Sequence, residues 1–134
     1  MEIKTYGELR EQREQKISDL HEQFGLFWAF SQKQYEENKT PKKEDEEYVS
    51  IGGGGFVPES KYKPLLVEME NIENWYKEEI KTNFKKEAIA FELANHECYN
   101  TGEIDVVFNI FDGVFSKYEI AEVYIEERHN YEWN

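Results

Sequence analysis

Four consecutive glycines, Gly52 to Gly55, constrain this chain more than any other feature. Each glycine inside a helix is about 1 kcal/mol worse than alanine, so a run of four ends any helix that reaches it. The flanking segments, Tyr48-Val49-Ser50-Ile51 and Phe56-Val57, alternate and are rich in β-branched and aromatic side chains. That pattern predicts two short strands joined through the glycines. A third apolar run, Leu26 to Phe30, lies between Gly25 and Ser31 and suits a buried strand at least as well as a helix. The expectation is a small antiparallel sheet of about residues 26–30, 48–51 and 56–57.

The rest of the chain reads as helix. Thr5-Tyr6-Gly7-Glu8 has the form of a capping box and opens an amphipathic helix over about 6–24, with Leu9, Ile17, Leu20 and Phe24 on one stripe and Arg13 filling its gap. Ser31 to Gln34 is a second capping box, for a short helix ending near Asn38; a charged loop, 39–47, follows and is expected to be mobile. After Pro58, Leu65, Met69, Ile72, Tyr76, Ile80 and Phe84 keep a 3–4 spacing. A second helical segment, about Lys85 to Tyr99, is apolar around much of its circumference and is expected to be the central helix. Residues 103–111 allow helix or strand, with helix the expectation. Ser116 to Glu119 is a third capping box, opening a helix through about Glu127 that makes 103–128 a helical hairpin. The fold class expected is α+β, mainly α-helical, with residues 1–134 in a single compact domain.

Charge decides which partners such a chain tolerates. Twenty-nine acids against sixteen bases give a net charge of −13, which repels nucleic acid and anionic membranes and attracts basic protein grooves. Twenty-one aromatic residues supply a core that an acidic tail lacks. No stretch of about eighteen apolar residues is present, and the N-terminus has no secretory pattern, so a cytoplasmic protein without a membrane segment is expected. The lone Cys98 fits a reducing compartment, and its acidic neighbours Glu92 and Glu97 predict a raised thiol pKa. Residues 103–134 are the most anionic part, eight acids to two bases, and still carry Phe108, Phe111, Phe115, Tyr118, Tyr124, Tyr131 and Trp133. Their acids Asp105, Asp112, Glu119, Glu122, Glu126 and Glu127 are the candidate partner-binding residues. A helix-turn-helix reading of 103–128 fails for want of cations.

Glu92 to Tyr99 is the densest collection of functional side chains. Glu92 and His96 lie four apart and share a helix face. A metal needs a third ligand, and the other histidines, His21 and His129, lie in separate helices, so no metal, cofactor or catalytic residue is expected. His96 follows Ile89 and Leu93 around the helix, so a core histidine in a polar network with Glu92, Asn95, Glu97 and Tyr99 is the expectation. The glycines Gly52, Gly53, Gly54 and Gly55 lack the Gly-Lys-Ser/Thr of a phosphate loop; they serve a hairpin tip or a ligand-contact loop.

The string Phe27-Trp28-Ala29-Phe30-Ser31-x-x-Gln34-Tyr35, Gly-Gly-Phe at 54–56, and Glu92-Leu93-Ala94-Asn95-His96-Glu97-x-Tyr99-x-Thr101-Gly102 resembles a group of small acidic proteins encoded by bacteriophages and mobile elements of gut bacteria. Cys98 departs from that group, which has an aromatic there. The resemblance implies phage or prophage origin, and small acidic phage proteins often inhibit host enzymes or antiviral systems, anti-CRISPR proteins among them. The expected function is a non-enzymatic inhibitor or adaptor whose acidic surface occupies the basic nucleic-acid groove of a host protein, such as a CRISPR or other defence nuclease. A nucleotide-signal binder using Gly52 to Gly55, Asn95, His96 and Tyr99 is one alternative; a metal-dependent hydrolase using Glu92 and His96 is another.

Overall fold

The computed structural model describes residues 2–131, without the side chain of Tyr131; Trp133 and the last turn of sequence lie outside the described residues. The elements run α1 (Tyr6–Gln23), β1 (Phe27–Trp28), α2 (Gln32–Asn38), β2 (Tyr48–Gly52), β3 (Gly55–Pro58), α3 (Glu59–Asn83), α4 (Lys85–Asn95), α5 (Cys98–Thr101), α6 (Asp105–Ile110), α7 (Lys117–Glu127) and a 3-10 turn, Arg128–Tyr131. The fold is α+β and mainly helical. Among the described residues no helix is long and apolar enough to cross a membrane. The chain divides into two compact units, one formed by residues up to Leu9 and from Tyr76 onward, the other by Arg10–Trp75.

The Arg10–Trp75 unit holds the sheet, whose strand order is β1-β3-β2, both pairs antiparallel. Phe27 pairs with Phe56, and Val49 with Val57. The glycines form a two-residue hairpin, with Gly53 at φ +59° and Gly54 at φ +84°, the twist that suits antiparallel strands. The register slips between Ser50 and Gly52, placing Ile51 and Gly52 opposite Gly55. The strand expected over 26–30 is shorter than its apolar run: only Phe27 and Trp28 pair, because α2 is capped at Ser31 and its Gln34 side chain already takes the Phe30 N–H.

One sheet face buries Val57 against Leu20 of α1 and Leu65 of α3, with Phe24, Leu26, Ile51, Tyr62, Met69 and Ile72 packed around them. A Schellman turn closes α1: Leu26 N–H donates to His21 O at 2.9 Å and Gly25 N–H to Glu22 O at 3.3 Å. Arg13, the polar residue in the α1 stripe, reaches α3, its Nε donating to Glu73 at 2.9 Å. The opposite sheet face carries an aromatic quartet, Phe27, Tyr35, Tyr48 and Phe56, with neighbouring rings 5.0–5.9 Å apart. The charged loop is fastened to this unit at several points. Glu46 is buried and accepts the N–H groups of Ser60 and Lys43, both at 2.8 Å, which hold its carboxyl at about 2. The Thr40 hydroxyl donates to Gly25 O, and the Tyr48 hydroxyl to Thr40 O.

In the other unit α4 is central, as its apolar circumference predicts: Ala88, Ile89 and Leu93 are buried, and α5, α6 and α7 pack on it. Tyr6, Leu9, Ile80, Phe84, Val107, Phe111, Phe115, Ile120 and Val123 are also buried in this unit. The helix expected to reach Tyr99 stops at Asn95. Glu97 takes a left-handed conformation, φ +56°, and the short α5 then sends Cys98 into the interior and stacks Tyr99 on Tyr124, centroids 5.6 Å apart. Residues 105–110 are helix and not strand, and α7 follows after the Asp112–Gly113 turn.

The hairpin tip gives a stability prediction. A Cβ at Gly54 would lie 2.3 Å from Cε1 of Phe30, and φ +84° disfavours any other residue. Gly54→Ala is expected to lower unfolding free energy by about 1–3 kcal/mol in chemical denaturation. Adding Phe30→Ala removes the clash but not the backbone strain, so the double variant should recover part of the loss. Full recovery would show that only the ring contact matters.

Candidate functional site

The acids that the sequence singles out separate into two groups. Three pair with lysines of α4 at the surface. Lys85 Nζ lies 2.6 Å from Glu119 Oε2, and Lys86 Nζ lies 3.2 Å from Glu127 and 3.5 Å from Glu126. Glu119 also completes the capping box of α7: its carboxylate accepts the Ser116 N–H at 2.9 Å while Ser116 Oγ accepts the Glu119 N–H at 3.1 Å. Glu119, Glu126 and Glu127 therefore also tie α7 to α4, a structural role that their selection as partner-binding residues did not include. Long-range pairing of this kind leaves no mark in local sequence.

Asp105, Asp112 and Glu122 behave differently. All three are exposed, and no cation pairs with them among the described residues. Glu122 stands between Tyr118 and Ile125 on the outward side of α7, opposite the buried Ile120 and Val123. Tyr118 is 77% exposed and Ile125 59%. On α6, Val106 and Ile110 are exposed one turn apart. Composition marks the acids of this segment, but not that its outward α7 face is also apolar. Lys117 rests over the Phe108 ring at 5.6 Å, beside a shallow groove lined also by Asp112, Gly113, Val114, Phe115 and Ser116.

The Glu92–Tyr99 cluster forms a hydrogen-bonded line within its unit. The Tyr76 hydroxyl donates to the Tyr6 hydroxyl at 3.1 Å, Tyr6 donates to Glu92 Oε1 at 3.4 Å, and His96 Nε2 lies 3.5 Å from Glu92 Oε2. Tyr6 is buried, whereas His96 is exposed at the end of α4 with Asn95 and Glu97. A core position for His96 is thus corrected: the helix ends before its next turn can cover the ring. Tyr6 and Tyr76, whose parts in this line only tertiary structure reveals, do what Asn95 and Glu97 were expected to do. Among the described residues no three His, Cys, Asp or Glu side chains converge as metal ligands. The Cys98 thiol is pushed up, as expected, but by burial and not by its acidic neighbours.

Gly52 to Gly55 belong to the Arg10–Trp75 unit and the Glu92–Tyr99 segment to the other. At the hairpin the space above Gly54 is filled by the Phe30 ring, and Gly55 is buried beneath Trp28 and Ile51. These glycines admit aromatic side chains of the protein itself, and Phe30 forms the wall of a groove beside them.

The Glu119 joint should be visible in acid. Lys85, then the Ser116 N–H, hold its carboxyl at about 2 in the folded chain, against an ordinary value near 4.5. A depressed folded value gives stabilisation that is complete above the ordinary value and is lost as pH falls from about 4.5 to about 2. Glu119→Gln is expected to lower stability at pH 7 and to flatten the stability profile across that window. Denaturant titrations at several pH values measure both, and an unchanged slope would mean that Glu119 contributes nothing to acid sensitivity.

Among known proteins, no curated protein and no solved structure matches the chain. One family description, a family of unknown function (DUF7659), matches residues 9–127, from the first turn of α1 to the last residue of α7. With nearly its whole length covered, the chain belongs to the DUF7659 family of unknown function.

Proposed function

We propose that the chain is a non-enzymatic, protein-binding inhibitor or adaptor that docks through the outward face of α6 and α7 on a basic surface of its partner. The observation that carries this reading is the line Tyr118–Glu122–Ile125: two large apolar side chains exposed on one helix face with an unpaired carboxylate between them. Exposed apolar side chains gathered on one face mark interaction sites more often than solvated exteriors do. Aromatic anchors supply contact area, and carboxylates around them select a cationic counterpart and speed its encounter. Val106 and Ile110, with Asp105 and Asp112, extend the same chemistry along α6.

The partner is then a protein with a lysine- and arginine-rich groove. A nucleic-acid-processing enzyme of the host is the form we favour. The phage-encoded group that this sequence resembles supplies the setting, an anti-defence role in the cytoplasm of an infected bacterium, with a CRISPR or other defence nuclease as target. An acidic face that occupies such a groove needs no reaction of its own.

The test is capture followed by assay. The immobilised chain is exposed to bacterial lysate at low salt, the retained protein is identified, and its nuclease activity is measured with and without the chain. A variant carrying Asp105→Lys, Asp112→Lys and Glu122→Lys is expected to retain at least about tenfold less partner, mainly through slower association, and capture should fall steeply with salt. Equal capture by this variant would remove the acidic-face reading. Capture without inhibition would make the chain an adaptor.

A further inference from the structure

A second site stands out on the other unit, and it does not depend on the α6–α7 reading. Beside the hairpin lies an open groove of about 440 Å³, lined by Ala29, Phe30, Ser31, Gln32, Tyr35 and Phe56. Phe30 is 75% exposed, yet it is held in place. Its ring rests on Gly54, where even a methyl group would collide with it, and its backbone N–H donates to Gln34 Oε1 at 2.7 Å. The preceding Ala29 N–H donates to Gly54 O at 2.9 Å, which ties this corner to the hairpin. Tyr35 and Phe56 cross at 85° with centroids 5.3 Å apart, and the rest of the quartet braces both. Three rings are therefore set around one groove before anything binds, which lowers the entropic cost of binding.

We propose that this groove binds an extended, proline-rich peptide segment that carries arginine. Fixed ring faces in a shallow, open groove suit proline rings. A polyproline II segment is stiff and has no internal hydrogen bonds, so its carbonyls remain available to donors on the protein. Ser31 is such a donor: its Oγ accepts the Gln34 N–H at 3.1 Å and keeps its own proton for a ligand carbonyl.

Charge complementarity chooses between peptide and nucleic acid, the other common ligand of exposed rings. Single strands need a cationic groove to follow their phosphates, and no lysine or arginine lines this one. The unit has fourteen acids to nine bases, although no carboxylate lines the groove itself. Exposed Glu44, Asp45 and Glu47 precede Tyr48, whose ring packs against Phe27 and Tyr35 and already carries a cation, Lys42 Nζ at 5.7 Å. A guanidinium fits both surroundings, since it stacks on ring faces and answers the carboxylates.

The experiment titrates the full chain with a synthetic decapeptide of proline-rich sequence bearing two terminal arginines, followed by calorimetry and by amide NMR shifts. Expected are saturable binding, shifts confined to residues near 29–35 and 54–56, weaker binding of the lysine version, and at least about tenfold loss with Phe30→Ala. Phe30→Trp, which keeps a ring on Gly54, should retain binding and separates loss of the platform from loss of fold. Absence of binding, binding that Phe30→Ala leaves unchanged, or preferential binding of an oligothymidylate would each overturn the proposal.

Discussion

A shortage of cations governs this structure. With twenty-nine acids and only sixteen bases, thirteen carboxylates lack a cation even if every base pairs once, and the positions of the few paired lysines decide what the others can do. Lys85 and Lys86 open α4 and are engaged by Glu119, Glu126 and Glu127 of α7. Those contacts bring one acidic side of α7 onto the central helix of its unit without like-charge repulsion. Tyr118, Glu122 and Ile125 point outward because Ile120 and Val123, on the opposite side of α7, are buried in the interior. Exposed ion pairs add little stability singly. The burial of Ile120 and Val123 beside them decides which face of the short α7 remains available.

Aromatic side chains divide along a similar line. Tyr99 and Tyr124 stack, and Phe111 and Phe115 meet edge to face in the interior of their unit. The Phe27–Tyr35–Tyr48–Phe56 quartet instead covers the outer face of a three-stranded sheet with only a seven-residue helix above it. So small a cover leaves Tyr35 and Phe56 half-buried and Phe30 largely in water. The hairpin glycines are integral to that arrangement. A side chain at Gly54 would displace the Phe30 ring, so the residues that permit the turn also permit the exposed platform.

What the sequence made legible follows from the range of each interaction. Helix starts are local, and all three capping signals were readable; the Ser116 box forms in full. At Thr5 the hydroxyl takes the Glu8 N–H, but the Glu8 carboxylate turns back to Lys4, and at Ser31 the Gln34 amide reaches Phe30, each one residue upstream of the expected donor. The glycine hairpin and its two strands were equally plain, since only tight turns accept such residues. Periodicity carried the α4 helix too far, because apolar spacing continues through Cys98 while Glu97 turns left-handed. The candidate site was half legible. Composition found the acidic segment, but separating Glu119, Glu126 and Glu127 from Asp105, Asp112 and Glu122 required knowing where Lys85 and Lys86 lie. Phe30 over Gly54 was hidden for the same reason: the two are distant in sequence and meet only once the sheet forms.

An exposed apolar strip is ordinarily a liability, since two copies can cover it by pairing with each other. The charge makes that pairing unfavourable here. A second copy would bring another −13 to the interface, and at the α6–α7 face it would set Asp105, Asp112 and Glu122 against their own kind, an excess that Lys117 beside Asp112 does not balance. A cationic surface reverses both terms, replacing repulsion with attraction while burying Tyr118 and Ile125. Under the function proposed above, the same carboxylates oppose self-association and favour a basic partner, whereas a solubility coat accounts only for the first effect. The apolar side chains among the acids distinguish the two roles: a coat has no need of them, and a docking face does.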